Sequence, residues 1–228
     1  MSELIAAVGK SGSGKTRSLM GLNPKETLII SVSGKKIPMK GFKALYTPLD
    51  EANGGKTGNY YQTSKADKII QILNLVNTVR TDIKNVVLDD YQFLGAFEYF
   101  ERASESGFGK FAEIGQNIAR PLIVASALRD DLNVIVTNHE ETISEDFKPL
   151  RKMKTIGKLV DNSLTMEGLF TVVLFTEIKE DADGTLEYGF ITNSNGSNTA
   201  KSPEGMFDKF IPNDMGVVVD AIAKYYDE

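Results

Sequence analysis

The sequence has no cysteine, no tryptophan, one histidine and seven prolines in 228 residues. Without cysteine there is no disulfide framework, no thiol catalysis and no Cys-ligated zinc. The lone histidine, His139, excludes a metal centre built from several imidazoles. No apolar run approaches the roughly 20 residues that cross a bilayer. The Met-Ser-Glu start leads straight into an apolar run, with no secretory leader ahead of it. We therefore expect a cytoplasmic protein with no membrane partner. A surplus of positive charge is also missing: 26 Lys and Arg against 31 Asp and Glu give a net charge of −5. That balance argues against a general nucleic-acid coat and leaves a local basic surface to be found by position. With 41% hydrophobic and 25% charged residues the chain can bury one substantial core, and its length predicts a single domain over 1–228.

What is present is most specific at Gly9-Lys10-Ser11-Gly12-Ser13-Gly14-Lys15-Thr16, which satisfies the phosphate-loop pattern G-x-x-x-x-G-K-[ST] at every fixed position. Leu4-Ile5-Ala6-Ala7-Val8 before it reads as a buried parallel strand, and Thr16-Arg17-Ser18-Leu19-Met20 after it opens a helix. Small residues let such a loop curl until its N–H groups face phosphate oxygens. Gly9 to Arg17 are thus expected to hold ATP, with Lys15 on the β- and γ-phosphates and the Thr16 hydroxyl on Mg²⁺. The competing reading is a Gly/Ser-rich connection and nothing more.

Asn85-Val86-Val87-Leu88-Asp89-Asp90 is the second landmark, an apolar strand that ends in carboxylates. Downstream of a phosphate loop this is the Walker B pattern, which makes Asp89 the metal-associated residue. Asp90 either deprotonates the attacking water or caps the next helix. A further strand, Leu132-Asn133-Val134-Ile135-Val136-Thr137, ends in Asn138-His139-Glu140-Glu141. Either Asn138 or His139 could sense the terminal phosphate there, against the alternative of a turn with a satisfied histidine. Residues 147–158 are basic with no acidic member: Lys148, Arg151, Lys152, Lys154 and Lys158 could neutralise a nucleic-acid backbone, or balance the nearby Glu140, Glu141, Glu145 and Asp146.

Between these landmarks the pattern predicts a strand at 27–32, a short strand at 42–46 and a Gly-rich loop or hairpin excursion over 47–63. It predicts an amphipathic helix near 65–81 capped by Ser64, and an aromatic-rich helix over 91–102 read as packing. A helix over 111–128 is expected to kink or restart at Arg120-Pro121. Strands at 169–176 and 186–192 form a hairpin, 193–203 is a polar loop, and a helix at 215–226 closes the chain. Alternating strands and helices imply an α/β fold, mostly parallel, with helices on both faces and ligand at the strand carboxyl ends.

On GKSGSGKT, VVLDD, VIVTNHEE and a C-terminal strand pair followed by Pro-Asn-Asp and a helix, the chain resembles the RecA-like branch of P-loop ATPases. It is most similar to compact phage-encoded ATP-binding proteins of recombination and single-strand annealing. The resemblance implies an ATPase that binds single-stranded DNA, assembles as a ring or filament, and works in the host-cell cytoplasm. It places DNA-binding loops near 107–110 and at the basic segment 148–158, and implies a basic finger from a neighbouring subunit, with Arg120, Arg129, Arg151 and Lys201 as candidates. One departure stands out. Recombinases of this branch carry a catalytic Glu after the strand that follows the phosphate loop, whereas here that strand ends Ser31-Val32-Ser33-Gly34. Asp90, or else Asp50 or Glu51, must replace it, or hydrolysis is slow. The alternatives are a nucleotide-dependent assembly or loader switch and a small-molecule kinase, the latter disfavoured by the lack of an arginine-rich lid.

Overall fold

Apolar strands of four to six buried residues, spaced by helices, assemble into one layered α/β structure in the computed structural model, which describes residues 1–145, 147–157 and 164–227. Its strands are β1 (Glu3–Gly9), β2 (Thr27–Ser31), β3 (Tyr60–Gln62), β4 (Asn85–Asp89), β5 (Asn133–Glu145), β6 (Lys148–Met153), β7 (Val172–Glu180), β8 (Leu186–Ile191) and β9 (Phe210–Pro212). Among the described residues they form a mixed sheet in the order β3-β2-β4-β5-β1-β7-β8-β9, with β6 paired to β5. The first six strands of that order run parallel, and β8, β9 and β6 pair antiparallel. The phosphate-loop strand β1 lies in the middle, with Ile5 opposite both Ile135 and Val172.

Side chains alternate between the two faces of the sheet, and each face has its own core. Leu4, Ala6, Val8, Val86, Leu88, Val134 and Val136 pack with α3 (Ala66–Thr78), α4 (Phe93–Glu101) and α5 (Gly109–Ser126). Ile5, Ala7, Val87, Ile135, Val172 and Leu174 pack with residues that follow α1 (Lys15–Ser18) and with the last helix, α6 (Met215–Asp227). Helices therefore cover both faces, as the alternation predicted. None of the described helices is long and apolar enough to cross a membrane.

Several elements differ from expectation. Residues 42–46 form a short helix, α2 (Phe42–Leu45), because left-handed Gly41 starts a turn that stacks Phe42 on Tyr46 at one helical repeat. Ser64 does not cap α3; Lys65 holds that position without a side-chain cap bond. The 47–63 stretch ends in β3, which joins β2 as a parallel edge rather than closing a hairpin. Pro121 lies inside α5 without breaking it, its buried ring flanked by Ile114, Ile118, Leu122 and Ala125 on the core side. The strand foreseen at 169–176 starts at Val172, after a tight turn at Met166–Leu169. Within the aromatic helix, Tyr91 is buried and donates to the Ile118 carbonyl at 2.6 Å, whereas Phe100 is 72% exposed, so packing accounts for only part of that stretch.

The largest difference lies past Thr137. The strand expected to end there continues to Glu145, and the basic segment returns along it as β6. Glu141 faces Lys152 and Glu145 faces Lys148 across this hairpin, so the two opposite-charge runs pair as cross-strand neighbours.

Candidate functional site

The loop after β1 is shaped by contacts that leave no space for side chains. A Cβ on Gly9 would sit 1.7 Å from Thr176 Oγ1, and Gly14, at φ 98, would meet the Asn213 amide at 2.8 Å. Thr176, on the neighbouring strand β7, donates to Ser13 Oγ at 2.7 Å, and Ser13 donates to the Lys10 carbonyl at 2.7 Å. The Lys15 ammonium folds back over the turn and donates to the Gly9 and Lys10 carbonyls, both at 2.8 Å. Burial pushes its pKa down to about 8.

Asp89 ends β4 on the same sheet face, fully buried. Its Oδ1 accepts from Thr16 Oγ1 at 3.2 Å and from Thr137 Oγ1 at 2.8 Å, while Oδ2 is buried with no partner. The Ser31 hydroxyl, on the residue opposite Asp89 in β2, is likewise buried and unpartnered. Burial first, then the adjacent Asp90 charge, raise the Asp89 pKa. A buried carboxylate with one oxygen unpartnered, tied to the loop threonine, has the chemistry to meet a divalent cation, and Asp89 with Thr16 could hold Mg²⁺ there.

Asp90 takes the left-handed conformation, φ 60, and is 1% exposed. Its N–H donates to Thr137 Oγ1 at 2.8 Å, and its Oδ2 accepts from Ser33 Oγ at 3.0 Å and pairs with Lys35 Nζ at 2.5 Å. Its other oxygen lies 3.8 Å from His139 Nε2. Burial, then the Lys15 charge, lower the His139 pKa, which favours the neutral ring. Lys15, Thr16, Arg17, Lys35, Asp90 and His139 line one cleft of about 380 Å³, with Tyr188 at its border.

Asn138 does not join them. As the neighbour of His139 in a strand it points to the opposite face, where its amide donates to the His139 and Lys154 carbonyls at 2.9 Å each. Of these two alternatives, His139 is the one that lines the cleft. Asp50 and Glu51 also lie elsewhere: Asp50 caps a turn at Asn53, and Glu51 pairs with Lys68 and Tyr61. In the basic segment Arg151 is engaged within the fold. It bonds Glu140 at 2.8 Å, Glu177 at 2.8 Å and the Thr176 carbonyl at 3.0 Å, with its guanidinium over the Phe175 ring. Lys152 lies 3.5 Å from Glu141, Lys148 and Lys154 are exposed, and Lys158 falls outside the described residues. Of the other finger candidates, Arg120 pairs with Asp67 and Arg129 with Asp131 and the Ile83 carbonyl.

Sequence reasoning missed Ser33, Lys35 and Thr176. The first two follow a parallel strand at its carboxyl end, where ligands gather in such sheets, and that position was the available signal. Thr176 carries no signal of its own; only the sheet order sets it against the loop. No protein-family model matches the chain, and no curated protein matches it.

Proposed function

We propose that the chain is a RecA-like P-loop ATPase that binds ATP with Mg²⁺ in the Lys15–Asp90 cleft. The observation that carries this reading is the Thr16–Asp89 contact at 3.2 Å beside an unpartnered buried Asp89 oxygen, directly beneath a complete phosphate-loop sequence. The strand order adds support. Because β5 lies between β1 and β4, its polar end falls between the phosphate loop and the paired carboxylates. Bound Mg²⁺ would neutralise charge on the β- and γ-phosphates. Loop N–H groups and Lys15 bind and orient the polyphosphate, with Arg17 at the mouth of the cleft. In this reading Asp90 takes the proton of an attacking water, and the His139 ring stands 3.8 Å from it.

Single-stranded DNA as partner and a ring or filament as assembly belong to the same reading. Exposed Lys148 and Lys154 on the β5–β6 hairpin, at the strand-carboxyl end, support a phosphate-backbone contact. One observation favours a second reading, a nucleotide-dependent switch with little hydrolysis: the base candidate Asp90 is already ion-paired to Lys35. ATP hydrolysis and light scattering with and without single-stranded DNA, on wild type and Lys15→Ala, separate the two. The ATPase gives turnover that DNA raises several-fold and that Lys15→Ala abolishes. The switch gives negligible turnover with assembly that depends on ATP and Lys15. Neither ATP binding nor ATP-dependent assembly would sink both.

A further inference from the structure

The loop after β2 carries no carboxylate before α2, and two of its polar side chains, Ser33 and Lys35, close on the same atom, Asp90 Oδ2. Ser33 Oγ donates to it at 3.0 Å and Lys35 Nζ lies 2.5 Å away. The members of this ion pair differ in freedom. Asp90 is 1% exposed and anchored through its N–H to Thr137. Lys35 has 51% of its side chain in solvent, follows Gly34 at φ 69, and lines the cleft that Lys15 lines. A half-exposed ammonium over a buried carboxylate, lining the same cleft as Lys15, has a second anionic partner once a polyphosphate enters.

We propose that Lys35 is a ligand for the terminal phosphate, held by Asp90 in the empty cleft and transferred to that phosphate when a nucleoside triphosphate binds. This rests on the nucleotide reading above and adds a specificity to it. The loop backbone serves phosphates common to ATP and ADP and Lys15 bridges the β- and γ-phosphates, whereas Lys35 would touch the terminal phosphate alone and so sharpens the preference for ATP over ADP. Partly exposed ion pairs are weak because water screens them, whereas an ammonium on a phosphate inside a cleft is a strong charge-assisted contact, so the transfer runs toward the ligand.

Calorimetric titration with Mg²⁺-ATP and Mg²⁺-ADP tests this without any turnover measurement. Lys35→Met should weaken ATP binding about ten-fold and ADP binding less than two-fold. Lys35→Arg should keep the ATP preference. Asp90→Asn retains the left-handed backbone that Asn tolerates and releases the lysine. It should tighten ATP binding about three-fold when Lys35 is present and leave it unchanged in the Lys35→Met background. Equal losses of ATP and ADP in Lys35→Met, or an Asp90→Asn gain that persists without Lys35, would overturn the proposal while leaving the nucleotide site standing. A wild-type protein that takes up neither nucleotide would overturn both. Thermal unfolding within about 2 °C of wild type shows that each variant is folded.

Discussion

Lys15 is 5% exposed with its ammonium on two loop carbonyls, and that placement has a thermodynamic consequence apart from ligand binding. Its pKa is held near 8, below the ordinary 10.5. The folded-state value is the lower one, so the buried charge costs stability in full below about pH 8, and the cost fades as pH rises toward 10.5. Lys15→Met removes the cost at neutral pH. Thermal unfolding at pH 7 should then rise by about 2–4 °C while Mg²⁺-ATP binding falls at least 100-fold. A lower midpoint would mean that the two carbonyl bonds outweigh desolvation. The same titration sets the affinity profile. A polyanion binds the charged form, so ATP affinity should hold up to about pH 8 and then fall, by at most ten-fold per unit. Calorimetry at pH 7, 8 and 9 measures this, and a flat profile would exclude Lys15 as a phosphate ligand.

The Gly9–Thr16 loop is shaped by β7 as much as by its own glycines, because Thr176 fills the place of a Gly9 side chain. Gly9→Ala should cost about 2 kcal/mol or more in denaturant unfolding, and Thr176→Ala should recover part of that loss in the double variant. In the β5–β6 hairpin, Arg151 bonds Glu140, whose side chain is 3% exposed. Arg151→Met strands that carboxylate and should cost about 3 kcal/mol, with Glu140→Gln restoring much of it. Equal stability of the single and double variants would remove Glu140 as the cause. These elements also show what was legible. The β1–loop–α1 unit reads directly, because an apolar run, fixed glycines and a lysine each carry a local requirement. Residues 140–153 do not, since their strand pairing arises from two charged runs that are each unremarkable alone and explain one another only when folded together. Asn138 and His139 look equivalent in a string, and only the two-residue period of β5 separates them. Phe42-Lys43-Ala44-Leu45-Tyr46 reads as strand by composition, but a left-handed glycine and an aromatic pair at i, i+4 made it helix.

At the scale of the molecule, a net charge of −5 means that any contact with a nucleic-acid backbone must be local. In the proposed reading that place is the β5–β6 hairpin and the residue after it, where Lys148 and Lys154 are exposed while Arg151 is paired with Glu140. Replacing both lysines by alanine should weaken single-stranded DNA binding and lower the slope of log affinity against log salt by about two, with thermal unfolding unchanged within about 2 °C. An unaltered slope would move the contact elsewhere. The central position of β1 has a consequence of another kind, in the order of synthesis. Ile5 cannot complete its hydrogen-bonded neighbours until Ile135 and Val172 have been made. At ribosomal rates of roughly 5–20 residues per second that interval is on the order of ten seconds or more. Throughout it an apolar strand destined for the middle of the sheet lacks at least one of its flanks, so nascent chains are the form of this protein most exposed to misassociation and to chaperone capture.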